Sequence, residues 1–233
     1  MSTHIEWTEE TWNPIVGCSK CSPGCDHCYA ERMANRLSGI ALAKNATPDV
    51  TRGIGRYIAV INPGGEWNGS TCCDNSEDIS GEFFKPLRMK KARRIFVSSM
   101  GDLFHEKNPD IWINIVVGVQ KRAHQHTYIW LTKRPEQMRD FILGYFKGDS
   151  PGKNVWCGVT VCTQDEADSK IPVLLETPAT VRFVSIEPML GSVDISKYMP
   201  SGDGFVSSRR GMEATSNSPT TGIIYRRWSF SFF

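Results

Sequence analysis

A chain of 233 residues with 40% hydrophobic and 10% aromatic content is long enough for one large domain or two small ones and can fill a sizeable core. With 27 Lys and Arg against 25 Asp and Glu, the formal charge of +2 gives no global pull toward nucleic acid, a membrane surface or an acidic partner, so any such partner must be met by a local patch. The start, "MSTHIEWTEETWNPIVG", has no basic stretch followed by an apolar run, and nowhere do eighteen apolar residues run together, which predicts a cytoplasmic protein without a membrane partner.

The first feature along the chain is "GCSKCSPGCDHCYAERMANRL", residues 17 to 37, which places Cys18, Cys21, Cys25 and Cys28 on a loop rich in Ser, Pro and Gly. The loop feeds a predicted helix, "YAERMANRLSGIALA", whose apolar residues Met33, Leu37 and Ile40 recur at helical spacing. Residues 43 to 81 are rich in Gly, Asn, Pro, Thr and Ser and read as an irregular excursion, with "RYIAVI" (56 to 61) as a strand candidate. The basic run "KPLRMKKARR" (85 to 94) reads as a solvated helix face ahead of a buried strand.

From residue 94 the pattern becomes regular. Short β-branched or aromatic runs, "RIFVSS" (94 to 99), "TYIWLT" (127 to 132), "NVWCGVTV" (154 to 161) and "VRFVSI" (181 to 186), recur about every 30 residues. Helical stretches separate them: "DIWINIVVGVQKRAH" after a predicted cap at Asn108-Pro109, "RPEQMRDFILGYF" with Pro135 at its start, and the acid-headed "QDEADSKIPVLLET", which Pro172 is expected to split. Strands alternating with helices at this period predict an α/β fold of parallel β/α units, and near-continuous apolar strands suit a sheet buried on both faces.

Each strand ends in polar chemistry: Ser98, Ser99 and Asp102 after the first, Thr132, Lys133 and Arg134 after the second, Thr160 in the third, Ser185 and Glu187 at the fourth. In a β/α barrel or open parallel sheet those ends line the ligand-binding face. Lys133 and Arg134 suit a carboxylate or phosphate, Asp102 a ribose hydroxyl or a turn cap, and Glu187 an amino or hydroxyl group or an ion pair with Lys133 or Arg134. His105 and Glu106 read as a solvated loop, and Cys157 and Cys162 as small core or loop fillers. The tail from residue 201, "SGDGFVSSRRGMEATSNSPTTGIIYRRWSFSFF", loses the β/α rhythm and is expected to be irregular or disordered, leaving residues 1 to 200 as the folded unit.

Eight cysteines in a reducing compartment are unlike disulfide staples. Structural zinc sites use two C-x2-C pairs with a spacer of about a dozen residues or more, whereas iron-sulfur clusters are held by cysteines two or three residues apart on one loop. The Cys21-x3-Cys25-x2-Cys28 spacing favours a cluster, with zinc as the second reading; a redox C-x2-C pair explains only two of the thiols.

Those three cysteines match the C-x3-C-x2-C signature of radical S-adenosylmethionine enzymes, with His27 or Tyr29 as the flanking ring. The blocks "TWNPIVGCSKCSPGCDHCYAERMA", "FVSSMGDLFHE", "WLTKRPEQM", "NVWCGVTV" and "RFVSIEPMLGSVD", in order over roughly residues 5 to 198, resemble the phage-associated three-Cys-motif family, a group of unknown function similar to radical S-adenosylmethionine proteins. The resemblance implies a partial parallel (β/α) barrel of that type, with a 4Fe-4S cluster and S-adenosylmethionine as cofactors. It implies a ligand set drawn from Cys18, Cys21, Cys25 and Cys28. The family's motif uses the counterparts of Cys18, Cys25 and Cys28, so the third ligand stays open between Cys18 and Cys21. On that reading the flanking Tyr29 and the strand-end residues Ser98, Ser99, Asp102, Lys133, Arg134 and Glu187 are the candidates for the cofactor pocket and an electron donor protein is expected, while the family suggests a partner encoded nearby. Where the family continues with another strand and a Gly-Gly-Glu-Ser stretch, this chain departs, and the C-terminal part of the barrel is expected to be incomplete. The alternative is a zinc- or cluster-stabilised binding module for nucleic acid, using the basic run and the strand-end Lys and Arg.

Overall fold

The computed structural model describes residues 7–47, 53–74 and 80–198, together with the backbone of 223–227. The chain opens with β1 (Glu10–Trp12) and β2 (Ile15–Val16), then crosses the cysteine loop into α1 (Tyr29–Ala43). β3 (Cys72–Cys73) and the single-turn α2 (Lys85–Arg88) lead to the repeating part: β4 (Arg94–Val97), α3 (Asp110–Arg122), β5 (Thr127–Thr132), α4 (Pro135–Tyr145), β6 (Val155–Val161), α5 (Gln164–Glu176), β7 (Val181–Ile186) and β8 (Ile223–Arg227).

Six strands form one sheet in the order β1-β4-β5-β6-β7-β8, every neighbouring pair parallel. The order never reverses. Right-handed crossovers in one direction put successive helices on one face of the sheet. The packing follows that rule: Ile113, Val116 and Val117 of α3, Met138 and Ile142 of α4, and Ala167, Ile171 and Leu174 of α5 share one buried cluster with Ile95, Val97, Tyr128, Trp130, Val159 and Val184. The alternate strand residues, Phe96, Ile129, Trp156 and Phe183, form a smaller cluster with Trp7 on the other face. Strand period 2 sorts the two sets, and each fully buried large side chain contributes about 1.5–3 kcal/mol. The fold is thus α/β with a parallel sheet; the sheet stays open, with β1 and β8 at its edges. Among the described residues, no helix is long and apolar enough to cross a membrane.

Several expectations change. "RYIAVI" is not a strand: residues Gly53–Tyr57 make a 3-10 turn, and Tyr57, Val60 and Ile61 bury against Val16, Ala30 and Ala34, so a local apolar run without a partner strand packs sideways on α1. The basic run holds only the four-residue α2. Pro109 is the N-cap of α3 rather than its first residue, and the Asn108 side chain donates instead to the carbonyls of Asp102 and Leu103. Pro172 does not split α5, whose start is secured by Thr163 accepting from the Glu166 N–H and by Asp165 and Glu166 in the first turn. Within the tail expected to be irregular, the backbone of 223–227 runs as β8 beside β7; residues 201–222 and 228–233 lie outside the described residues.

Candidate functional site

The cysteine loop is built from short-range turns. Gly17, at φ +93°, donates to the Met100 carbonyl at 3.1 Å and bridges Gly101 at the end of β4, a left-handed backbone that suits glycine. Ser22 then caps a 3-10 turn over Pro23–His27, its hydroxyl accepting from the Gly24 N–H at 3.3 Å. The Cys25 N–H donates to Ser22 O, the Cys28 N–H donates to Cys25 O, and Cys28 becomes the N-cap of α1. Cys25 and Cys28 are therefore consecutive corners of one tight turn, Cys25 buried and Cys28 half-buried.

The loop lies across the carboxyl ends of the strands. Gly24 meets Cys162, just past β6, and Pro188, just past β7: a Cβ on Gly24 would come 2.3 Å from Cys162 Sγ and 2.9 Å from Pro188 Cδ. Ser22 Oγ and Lys133 Nζ each reach the Cys162 sulfur at 3.7 Å, and the Cys162 thiol donates to Glu187 O at 3.2 Å. Lys133 also stands within electrostatic reach of Cys25.

At the end of β5, the buried guanidinium of Arg134 uses its whole fork. Nε donates to Glu106 Oε2 at 2.6 Å, Nη1 to Asp102 Oδ2 at 3.2 Å and to Cys18 Sγ at 3.7 Å, and Nη2 to the Ser19 carbonyl at 3.1 Å and hydroxyl at 2.8 Å. None of these donors is left for Glu187. Asp102 accepts further from Thr132 Oγ1, Phe104 N and Lys133 N, so it caps its own turn and anchors β5 at once. His105 is fully enclosed rather than solvated: its Nδ1 accepts from the Lys107 N–H, and burial followed by Arg134 lowers its pKa. The neutral ring therefore turns its Nε2–H to Ser19 Oγ at 2.8 Å. Glu106, half exposed, also leaves the solvated-loop expectation by pairing with Arg134.

The remaining expected residues divide. Tyr29 shows its ring to solvent but turns its hydroxyl inward to Ser99 O at 2.8 Å; burial of that hydroxyl, then the nearby Cys28 and Glu187, push its pKa up. Ser99 Oγ is spent on Asn13. Ser98, at φ +56°, and Ser185 are buried with hydroxyls that have no hydrogen-bond partner among the described residues. Such an unmet group costs about 1–3 kcal/mol, which a ligand hydroxyl or carboxylate would offset. Thr160 and Ser185 are paired in register on the face away from the helices.

Burial, then Asp102, pushes the Cys18 thiol up to about 12, against the lowering pull of Arg134. The Cys21 thiol donates to Cys25, which raises Cys21 and lowers Cys25 to about 5, Lys133 adding to the lowering. Among the described residues no group of three or more His, Cys, Asp or Glu side chains stands arranged around a metal position. The donor set nonetheless fits a thiophilic group in chemistry: Cys25 lies within electrostatic reach of both Cys18 and Cys21, Cys28 follows in the same turn, and Lys133 and Arg134 offset thiolate charge from the sheet side. Ser19 and Ser22 escaped the sequence reading, while His105 and Cys162 were read there as solvated loop and as a core or loop filler and are instead in contact with the cysteine loop. Of these, Cys162 carried a signal, since it directly follows a strand whose neighbours end in site residues.

A family model described as a protein of unknown function (DUF5131) matches residues 2–213. No curated protein and no solved structure matches the chain.

Proposed function

We propose that this chain, which belongs to the DUF5131 family of proteins of unknown function, is a radical S-adenosylmethionine protein that holds a 4Fe-4S cluster on its cysteine loop. The observation that carries this reading is the seating of the loop: Gly24 against Cys162 and Pro188, and Ser19 against Arg134, bring the four-cysteine loop to the carboxyl edge of a singly wound parallel sheet. When bound, the cluster would supply the electron for reductive cleavage of S-adenosylmethionine; the organic chemistry is the cofactor's own. Cys25 and Cys28, with Cys18 or Cys21, would hold the metal. The chain's other residues orient and shield: Arg134 and Lys133 offset negative charge, Ser98 and Ser185 offer unmet hydroxyls, and Glu187 after β7 lies within electrostatic reach of Tyr29, whose hydroxyl meets the Ser99 carbonyl after β4. An electron donor protein and a partner encoded nearby complete the proposal, which extends to a role in a phage-related system.

The nucleic-acid alternative has less support. Lys85 pairs with Glu10, Arg88 donates to Gly81 O, and Arg93 and Arg94 pair with Glu9, so the basic run is largely spent within the fold. The test is anaerobic reconstitution of the full chain. About four irons with matching sulfide per chain, a spectrum that changes on adding S-adenosylmethionine, and loss of iron in Cys25→Ala and Cys28→Ala are expected. Stoichiometric zinc without iron would overturn the proposal.

A further inference from the structure

Arg134 departs from what a strand-end arginine needs to do. A single ion pair with Asp102 would satisfy its charge, yet the guanidinium is buried to 6% side-chain exposure and divides its donors between the sheet side, Asp102 and Glu106, and the loop side, the Cys18 sulfur and both oxygens of Ser19. Ser19 is braced again by His105, through the Nε2 contact at 2.8 Å, and Glu106 reaches the same hydroxyl at 3.3 Å. Three acceptors on the loop and two carboxylates from the segment between β4 and α3 thus meet in one planar cation.

We infer that Arg134 is a positioning residue for the metal centre: it keys the Cys18–Ser19 limb of the loop to the strand ends and donates an N–H to the Cys18 sulfur, stabilising that sulfur as an anionic ligand. The inference rests on the proposed metal-binding role of the loop. A hydrogen bond to a ligand atom both orients it and tunes the bound metal, and loss of such a partner typically lowers metal affinity by about 10- to 100-fold. Lysine cannot replace the fork, because one ammonium cannot reach Asp102, Cys18 and Ser19 together.

The test uses cobalt(II) alone as the probe of the apo full chain under anaerobic conditions, read by the sulfur-to-cobalt charge-transfer band. Arg134→Gln should weaken binding by about 10- to 100-fold, with faster hydrogen exchange at residues 18–20. Arg134→Lys should recover part of the affinity but not the wild-type band position, a difference that a purely structural role would not produce. Arg139→Gln, on the exposed side of α4, serves as the control and should bind as the wild type does. If Arg134→Gln fails to fold, Arg134→Lys alone decides. Cobalt affinity and band unchanged in the folded variants would overturn the inference while leaving the proposed function standing. Binding lost in the variants but with no iron cluster in the wild type would overturn the proposed function and leave Arg134 as the keystone of a different metal site. No cobalt binding by the wild type would sink both.

Discussion

Gly24 and Cys162 are in direct contact across 138 residues of sequence, with the glycine's missing Cβ leaving the room that the cysteine sulfur fills. Gly24→Ala should therefore push the cysteine turn off the ends of β6 and β7, destabilising the fold by about 1–3 kcal/mol. Cys162→Ala removes the nearer obstacle but leaves Pro188 Cδ at 2.9 Å, so the double variant should recover only part of the loss. A double-mutant cycle from urea melts checks this; strictly additive effects would show that the two residues do not press on each other.

Asp102 and Arg134 form a buried pair, each side chain about 6% exposed. Deleting the carboxylate in Asp102→Ala strands the guanidinium beside Cys18 and unmakes the bonds to Thr132, Phe104 and Lys133, for an expected loss of about 3–5 kcal/mol. Asp102→Asn keeps acceptors for Thr132 and Phe104 and should fall in between. Equal stability of the aspartate and alanine forms in denaturant titration would contradict this account.

Acid should weaken the fold in two windows. His105 has its pKa lowered below the ordinary imidazole value of 6.5, by burial and then Arg134, so the unfolded chain takes the proton first and stability drops as pH falls below that value. Glu106 is lowered from 4.5 to about 2: burial opposes the shift, but its own backbone N–H and Arg134 outweigh it, so its contribution is present above pH 4.5 and drains away toward pH 2. Because Glu106 is half exposed, its share is small. Stability curves of His105→Gln and Glu106→Gln should each flatten in their own window and nowhere else.

Tyr29→Phe deletes the hydroxyl that ties the first residue of α1 to the Ser99 carbonyl, at an expected cost of about 0.5–1.5 kcal/mol. The ring itself is half exposed, so the change should leave the core intact. A loss much above that range in thermal melts would mean the hydroxyl holds more than Ser99.

The repeating half of the fold was legible because its signals are local. "TYIWLT" and "VRFVSI" coincide with β5 and β7, and "YAERMANRLSGIALA" with α1, since apolar periodicity reports which face is buried whatever lies opposite. The short elements were not legible: β1 has three residues and β8 lies in a Ser- and Gly-rich stretch, and both exist by pairing with an edge that the rest of the chain builds. "RYIAVI" failed for the complementary reason, having strand composition but no edge to join.

The site divides along the same line. Four cysteines in eleven positions, and polar residues closing four strands, are properties of spacing, and spacing is written in the chain. What joined them is not. That Arg134 would turn to Cys18 and Ser19, that His105 would be enclosed, and that Cys162 would lie under Gly24 depended on how far the sheet brings the ends of β4, β5, β6 and β7 toward the loop. Hydrogen bonds and contacts of a few ångströms act between groups that are distant in sequence, and only the folded arrangement decides which of them meet.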